Sequence, residues 1–551
     1  MEYVKATFYP SNITGTIPKG ATILEAARML GVPIEGPCGG MGRCGKDIVQ
    51  VKINNKLNNV LACRTQIETN IEVIIPLHEQ DPLKTVEGFS AADVMKGGIN
   101  SIVGKEVVAD SRGCCITKVS LDDKIVSIGD GDTMTKSYGI ALDIGTTTLV
   151  ASLIDLYSGK VLEYASLLNP LVSYGHDVMS RIKYAASWED GLRAMHRELI
   201  TGINLLIETL CAKSNVRPEN ICQLTGAGNT TMQHIFLNRE IKGIGEYPYK
   251  AEVLDVCTTT AESLGIGIAK YASVTTFPCI SAYVGGDIVS GLLVVNPGDT
   301  EFPALFLDIG TNGELVLLLN GRIVASSTAA GPCFEGMTIS SGMRAAEGAI
   351  ERVSLEKEPF WGVIGSGTPK GICGSGLLDL VSELVRTGLV NSRGRLQNRN
   401  SETAANYKNY LFEKNGKRYF QLAAGVSVTQ EDIRQVQLAK AAIRAGVEIL
   451  FNKCNVKPED MKTVIVAGAF GYHLKEECLF RTGFFPALKN ARIFFVGNSS
   501  LEGAIRLLLN KELVNKATHI ARTARVVELS HVPEFESTFI REISFPEREN
   551  K

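Results

Sequence analysis

One phrase occurs twice in this chain. "IALDIGTTTLVASLID", residues 140 to 155, returns in altered form as "LFLDIGTNGELVLLLN", residues 305 to 320, so that Asp143 and Asp308 lie 165 residues apart. Each copy reads as an apolar strand, an Asp-Ile-Gly-Thr turn and a second apolar strand. A unit repeated at this spacing predicts two similar α/β lobes with a cleft between them, over residues 137–551, the second lobe starting near residue 300. Apolar β runs alternate with amphipathic helical stretches through this region, which predicts largely parallel sheets covered by helices. One long helix is expected over "TQEDIRQVQLAKAAIRAGVEILFNKC", opened by Thr429 as cap and by acidic residues in the first turn.

The first 80 residues read as a separate α+β unit. "YVKATFYP" and "TGTIPKG" suggest a hairpin, "TILEAARMLGV" a short helix, and "DIVQVKI" and "NIEVIIP" further strands around a glycine-rich loop. Residues 81–136 mix short strand-like pieces with glycine and aspartate and read as a linker or small connecting module. A net charge of −2 gives no basic field for nucleic acid or for an anionic membrane. The thirteen cysteines are odd in number and too sparse for a disulfide scaffold. The start "MEYVKATFYP" lacks the pattern of a signal peptide, and no uncharged run of membrane-spanning length is present. The expected location is the cytoplasm, where thiols stay reduced.

In each repeat the aspartate ends a buried strand, glycine permits a tight turn, and threonines add hydroxyls. Backbone N–H groups in such a turn can cradle a phosphate, while the aspartate suits Mg²⁺ through its bound waters. "TVIVAGAFGYHL", residues 463 to 474, is a third such strand and breaks into Gly468-Ala469-Phe470-Gly471, where adenosine can lie against backbone. In this order the three motifs resemble the phosphate-1, phosphate-2 and adenosine motifs of the acetate and sugar kinase, Hsp70 and actin superfamily, over about 400 residues. The resemblance implies a two-lobed ATPase. Four other glycine-rich stretches ("LTGAGNTT", "VGGDIVSGLL", "AAGPCFEG", "GICGSGLLDL") punctuate the lobes and line the cleft or pack helix on strand. Cys333 and Cys373 read as small buried hydrophobes, and His176 and His234 as locally hydrogen-bonded.

The loop "PCGGMGRCGKD" places Cys38 and Cys44 around glycines, with Asp47 two residues beyond Cys44 and Cys63 in "VLACRTQ". A [2Fe–2S] centre needs four ligands and backbone N–H groups aimed at its sulfurs. This module resembles adrenodoxin-like [2Fe–2S] ferredoxins, with a carboxylate where the third cysteine is expected. Three accounts of Asp47 stay open. It ligates iron, since iron accepts oxygen donors; or a thiol is borrowed, Cys114 and Cys115 being nearest in sequence; or the cluster is lost and the fold kept for docking.

A ferredoxin-like module ahead of an Hsp70/actin-type ATPase resembles the reductive activators of corrinoid proteins. The resemblance implies a dimeric, ATP-driven enzyme that takes an electron from an upstream donor. It returns the corrinoid cobalt of a methyl-carrier protein from Co(II) to Co(I). For one electron each ~59 mV is a factor of ten, so ATP has to cover a few such factors. The implied roles are Cys38, Cys44, Asp47 and Cys63 for the cluster, and Asp143 and Asp308 for Mg²⁺ and the attacking water. Gly145, Thr146, Thr147, Thr148, Gly310, Thr311 and Asn312 serve the phosphates, and Gly468, Ala469, Phe470 and Gly471 the adenosine. The short segment between the modules reads as a missing middle domain. A small-molecule kinase, or a nucleotide-binding redox sensor or docking protein, is the alternative.

Overall fold

The computed structural model describes residues 2–9, 12–30, 32, 34, 47–53, 56–75, 99–111, 114–295, 300–468 and 474–547. Cys38, Cys44, Ala469, Phe470 and Gly471 therefore lie outside the described residues.

The N-terminal module is a five-stranded sheet ordered Ile13–Pro18, Tyr3–Tyr9, Ile71–Ile74, Ile48–Ile53, Lys56–Leu61. Its first and last strands in sequence, Tyr3–Tyr9 and Ile71–Ile74, run parallel, and the other neighbours are antiparallel. The helix Ile23–Met29 covers one face. Thr22 and Glu25 close its N-terminus as a reciprocal capping box, which satisfies two otherwise unpaired N–H groups. Phe8, Ile17, Ile23, Leu24, Val49, Val51 and Val73 are fully or almost fully buried between helix and sheet. The strands Val103–Ala109, Cys115–Leu121 and Lys124–Asp130 then form a small antiparallel sheet.

The two repeats sit at the centre of two six-stranded sheets of like plan. The first is ordered Val161–Leu168, Thr148–Asp155, Tyr138–Ile144, Ile221–Gly228, Ser273–Thr276, Cys257–Thr260. The second is ordered Arg492–Gly497, Thr463–Ala467, Ala304–Ile309, Gly313–Leu319, Arg322–Thr328, Arg525–Val526. The expectation of largely parallel sheets needs correction, because both are mixed. On one side of each aspartate-bearing strand, two strands follow antiparallel. On the other, the neighbouring strands are parallel. A tight Asp-Ile-Gly-Thr turn leaves no room for the crossover that a parallel partner demands.

Long helices back the sheets. Gly191–Ser214 lies on the first, and Gln430–Cys454 on the second. The Thr429 side chain accepts from the Asp432 N–H and Asp432 answers the cap backbone, as the sequence suggested for that end. A separate core joins the lobes: Ala141, Val150, Ile288, Phe306, Ile465, Ile505 and Leu508 bury one another. The helices Gly286–Val294 and Ser499–Leu509 supply much of it, and Ser290 Oγ donates to the Ser500 carbonyl at 2.7 Å. Among the described residues no helix is long and apolar enough to cross a membrane.

Candidate functional site

Both aspartates of the repeat stand one residue before the end of their strands, and Asp143 lies near enough for its charge to act on Asp308. Asp143 is held by two donors from the start of the helix Ser499–Leu509. Asn498 Nδ2 donates to Asp143 Oδ2 at 2.8 Å, and Ser500 Oγ to Oδ1 at 2.8 Å. The turn that follows tolerates glycine alone at 145, because a Cβ there would stand 2.5 Å from the Thr148 carbonyl oxygen. Beside Asp308 the close approach is made instead by Gly468, since a Cβ at Gly310 would meet nothing nearer than 3.6 Å. The φ of Gly468 is +115°, and a Cβ there would meet the Ile309 carbonyl oxygen at 2.5 Å.

A glutamate that the sequence did not single out ties the turns together. Thr147 Oγ1 and Thr311 Oγ1 both donate to the Glu335 carboxylate, the latter at 2.7 Å, and the two hydroxyls lie 3.5 Å apart. Thr146 Oγ1 accepts from Asn229 Nδ2 at 2.8 Å, and Arg181 Nη2 donates to the Thr146 carbonyl at 2.5 Å. Gly310 N–H closes its turn on the Asn312 carbonyl at 2.9 Å. Thr148 is the first residue of its strand and pairs with Leu168. The structure thus brings Asp143, Gly145, Thr146, Thr147, Asp308, Gly310, Thr311 and Gly468 to one place.

The cleft is strongly acidic. Burial pushes the Asp143 carboxyl up to about 6, although the Asn498 and Ser500 hydrogen bonds pull the other way. Burial, with the charges of Asp287 and Asp143 added, pushes Asp308 up to about 8. Asp287 and Glu314 are raised by burial and by these same neighbours. Among the described residues no three His, Cys, Asp or Glu side chains converge to hold a metal ion directly. Such a nest is instead suited to a hydrated Mg²⁺, which keeps most of its waters.

A pH dependence follows from these raised values. Without ligand, the folded protein holds protons on Asp143 and Asp308 that the unfolded chain, with carboxyls near ~4, releases. Stability therefore falls as pH rises from about 4 toward about 8. Mg²⁺ with ADP bound between these carboxylates would relieve their ionised forms, so the melting temperature is expected to rise more on its addition at pH 8 than at pH 6. Calorimetry across that range checks the sign.

The N-terminal module places Asp47 and Cys63 side by side. Asp47 is 1% exposed, and its Oδ2 accepts from the Cys63 backbone N–H at 2.6 Å. Its Oδ1 is buried with no hydrogen-bond partner among the described residues. Cys63 is buried, whereas Cys114 and Cys115 are exposed at the start of the strand Cys115–Leu121. Cys333 and Cys373 are buried among apolar side chains. His234 is locally satisfied, with Nδ1 donating to the Thr230 carbonyl at 2.7 Å and Nε2 accepting from Val253 N–H at 3.0 Å.

Of the residues that sequence reasoning left aside, Asp287 and Glu335 sat inside glycine-rich stretches already noted, and Glu314 inside the second copy of the repeat. Asn498, Ser500 and Arg181 carried no local signal, since each acts on a residue far away in the chain.

The fold and cleft define a two-lobed enzyme with paired Asp-Ile-Gly-Thr turns and a small cysteine-bearing module ahead of it. Comparison with known proteins specifies the family. The C-terminal domain of RACo, described as the ASKHA domain, matches residues 303–551, and the RACo middle region matches residues 138–297. The corrinoid activation enzyme RamQ of Eubacterium limosum is 29% identical, with 96% of this chain and 97% of that protein covered. The [Co(II) methylated amine-specific corrinoid protein] reductase of Methanosarcina barkeri is 28% identical, over 74% of this chain and 77% of that one. A solved reductive activator for corrinoid, iron–sulfur protein superposes with a TM-score of 0.75 at 29% identity and covers 99% of both chains. The chain belongs to the family of reductive activators of corrinoid proteins. Its middle region is not missing, as the short linker had suggested; it is the first of the two lobes.

Proposed function

We propose that this protein couples ATP hydrolysis to reduction of a partner protein's corrinoid cobalt from Co(II) to Co(I), restoring a methyl carrier to its active form. One observation carries the reading. Two Asp-Ile-Gly-Thr turns from separate lobes meet at Glu335, in a chain that also sets Asp47 against Cys63. Family membership supports it.

Gly145–Thr148 and Gly310–Asn312 offer N–H groups and hydroxyls to the phosphates. A triphosphate would compete with Glu335 for the hydroxyls of Thr147 and Thr311, so its arrival is felt in both lobes. Asp143 and Asp308 are the residues that would hold a hydrated Mg²⁺ and orient the attacking water, with Asn498 and Ser500 fixing the first of them. Gly468 to Gly471 receive the adenosine.

Cys38, Cys44, Cys63 and Asp47 are the residues that would hold a [2Fe–2S] cluster. The fit rests on the buried Oδ1 of Asp47, which has no hydrogen-bond partner among the described residues and lies beside the Cys63 turn, since a buried acceptor left unpaired is costly. When bound, such a cluster supplies one-electron transfer from an upstream donor. The chain's own part is to bury the carboxylate and to hold the Cys63 backbone against it. A homodimer is the expected assembly.

The test is reduction of a purified Co(II) corrinoid protein, followed by its visible spectrum under anaerobic conditions with a chemical donor. Co(I) is expected to accumulate with Mg·ATP and not without it. Equal rates with ATP withheld would overturn the reading. Phosphoryl transfer to a metabolite without any reductant would replace it with a kinase.

A further inference from the structure

The nucleotide cleft and the Cys63 module are joined by a short run of hydrogen bonds that begins and ends on functional turns. Within the module, the helix Ile23–Met29 is fastened to the turn that carries Cys63. Leu24 N–H donates to the Ala62 carbonyl at 3.0 Å, and Ile23 N–H to the Thr65 carbonyl at 2.9 Å. From the last turn of that helix, Arg28 leaves the module. Its Nε donates to the Ser173 carbonyl at 2.8 Å and its Nη2 donates to the same oxygen. Its guanidinium also lies 5.9 Å from the centre of the Tyr184 ring.

Both supports of Arg28 lead to the first phosphate turn. Ser173 belongs to the short helix Pro170–Tyr174, capped by the fully buried Asn169. Asn169 Oδ1 accepts from Leu171 N–H at 2.9 Å, while Nδ2 donates to the Gly145 carbonyl at 2.7 Å. Asn169 N–H donates to the Thr147 carbonyl at 2.9 Å. Tyr184 lies on the helix Val178–Ser187, about one turn beyond Arg181. The fully buried Arg181 donates to the Thr146 carbonyl at 2.5 Å and, through Nε, to the Gly175 carbonyl at 3.0 Å. The rings of Tyr174 and Tyr184 lock the two supports together edge to face, 4.7 Å apart.

Three consecutive carbonyls of the phosphate turn, those of Gly145, Thr146 and Thr147, are therefore gripped from behind by Asn169 and Arg181. When the N–H groups of that turn rotate to meet a phosphate, the same peptide planes carry these carbonyls with them. Buried, close-packed side chains transmit such a displacement rather than absorb it. Resting on the function proposed above, we infer that Arg28 is a positioning residue, the joint through which nucleotide at Gly145–Thr147 is felt at the Cys63 turn, with Asn169 and Arg181 as its two struts. Arg28 touches neither phosphate turn directly, so its removal separates the two functions without dismantling either.

The experiment compares the full-length protein with Arg28→Ala and Arg28→Lys variants, by amide hydrogen exchange with and without a non-hydrolysable ATP analogue and Mg²⁺. In the unsubstituted protein the analogue is expected to slow exchange several-fold at residues 145–148 and also at 23–29 and 61–65. Arg28→Ala keeps the first effect and loses the second. Its ATP hydrolysis and analogue affinity stay within about twofold, while the acceleration of cobalt reduction by ATP drops at least tenfold. Arg28→Lys recovers part of the distant protection, because an ammonium still donates to the Ser173 carbonyl. Protection at 61–65 that survives Arg28→Ala overturns the joint. So does protection confined to 145–148 in the unsubstituted protein, and that outcome leaves the proposed function standing. Absence of any effect of the analogue at 145–148 removes the function itself.

Discussion

Asp308→Asn is expected to give a folded protein that still binds ATP but hydrolyses it about 100-fold or more slowly. Cobalt reduction falls in step. The carboxylate is the group that Mg²⁺ and the attacking water would need, and positioned acid–base groups of this kind contribute about 10²–10⁴-fold. The same substitution has a second, opposite effect. Asp308 stands in the field of Asp287 and Asp143, and burial pushes it up to about 8. An amide removes one member of that repelling set, so at pH 8 and without nucleotide the variant melts at a higher temperature than the parent. Loss of activity with gain of stability is the usual signature of a site built against the preference of the fold. Hydrolysis at the parental rate would take Asp308 out of the chemistry.

Asp47 supplies the second large effect, read as iron and sulfide content and as the EPR spectrum of the dithionite-reduced protein. Asp47→Cys restores the spacing of a four-thiolate ferredoxin and is expected to slow loss of iron to a chelator about tenfold. Asp47→Ala is expected to retain less than half the iron of the parent. The alanine variant also loses the acceptor for the Cys63 N–H, now 2.6 Å from Oδ2, at a cost of about 1–3 kcal/mol for the buried donor left behind. A melting curve reads that loss separately from the metal. If the alanine variant keeps parental iron and spectrum, the carboxylate serves only to hold the Cys63 turn. That role became visible only in the folded module; the alternatives weighed for Asp47 from sequence did not include it.

Much of the cleft was legible because its chemistry is written within single turns. Asp143 with Gly145 to Thr147, and Asp308 with Gly310 and Thr311, each lie within a few residues of a buried strand, and strand-turn patterns can be read at that range. The cap at Thr429 was legible for the same reason, since Thr429 and Asp432 satisfy one another across three residues. The sheet direction was misread because alternation of β and α elements suggests crossovers, whereas each tight turn after an aspartate imposes an antiparallel partner. The middle region was thought missing because the linker was judged by its length.

What the amino-acid order settles unaided is therefore local: which strands end in a carboxylate, where the backbone can bend around a phosphate, and which cysteines share a loop. What folding alone decides is which of these meet. Asn498 and Asp143 are 355 residues apart, Glu335 and Thr147 are 188 apart, and Arg28 and Ser173 are 145 apart. No periodicity or spacing encodes such pairs, because the first two arise from two sheets closing on a shared core and the third from the N-terminal module resting on the first lobe. The partners are chosen by where the chain ends up, not by what lies beside them in it.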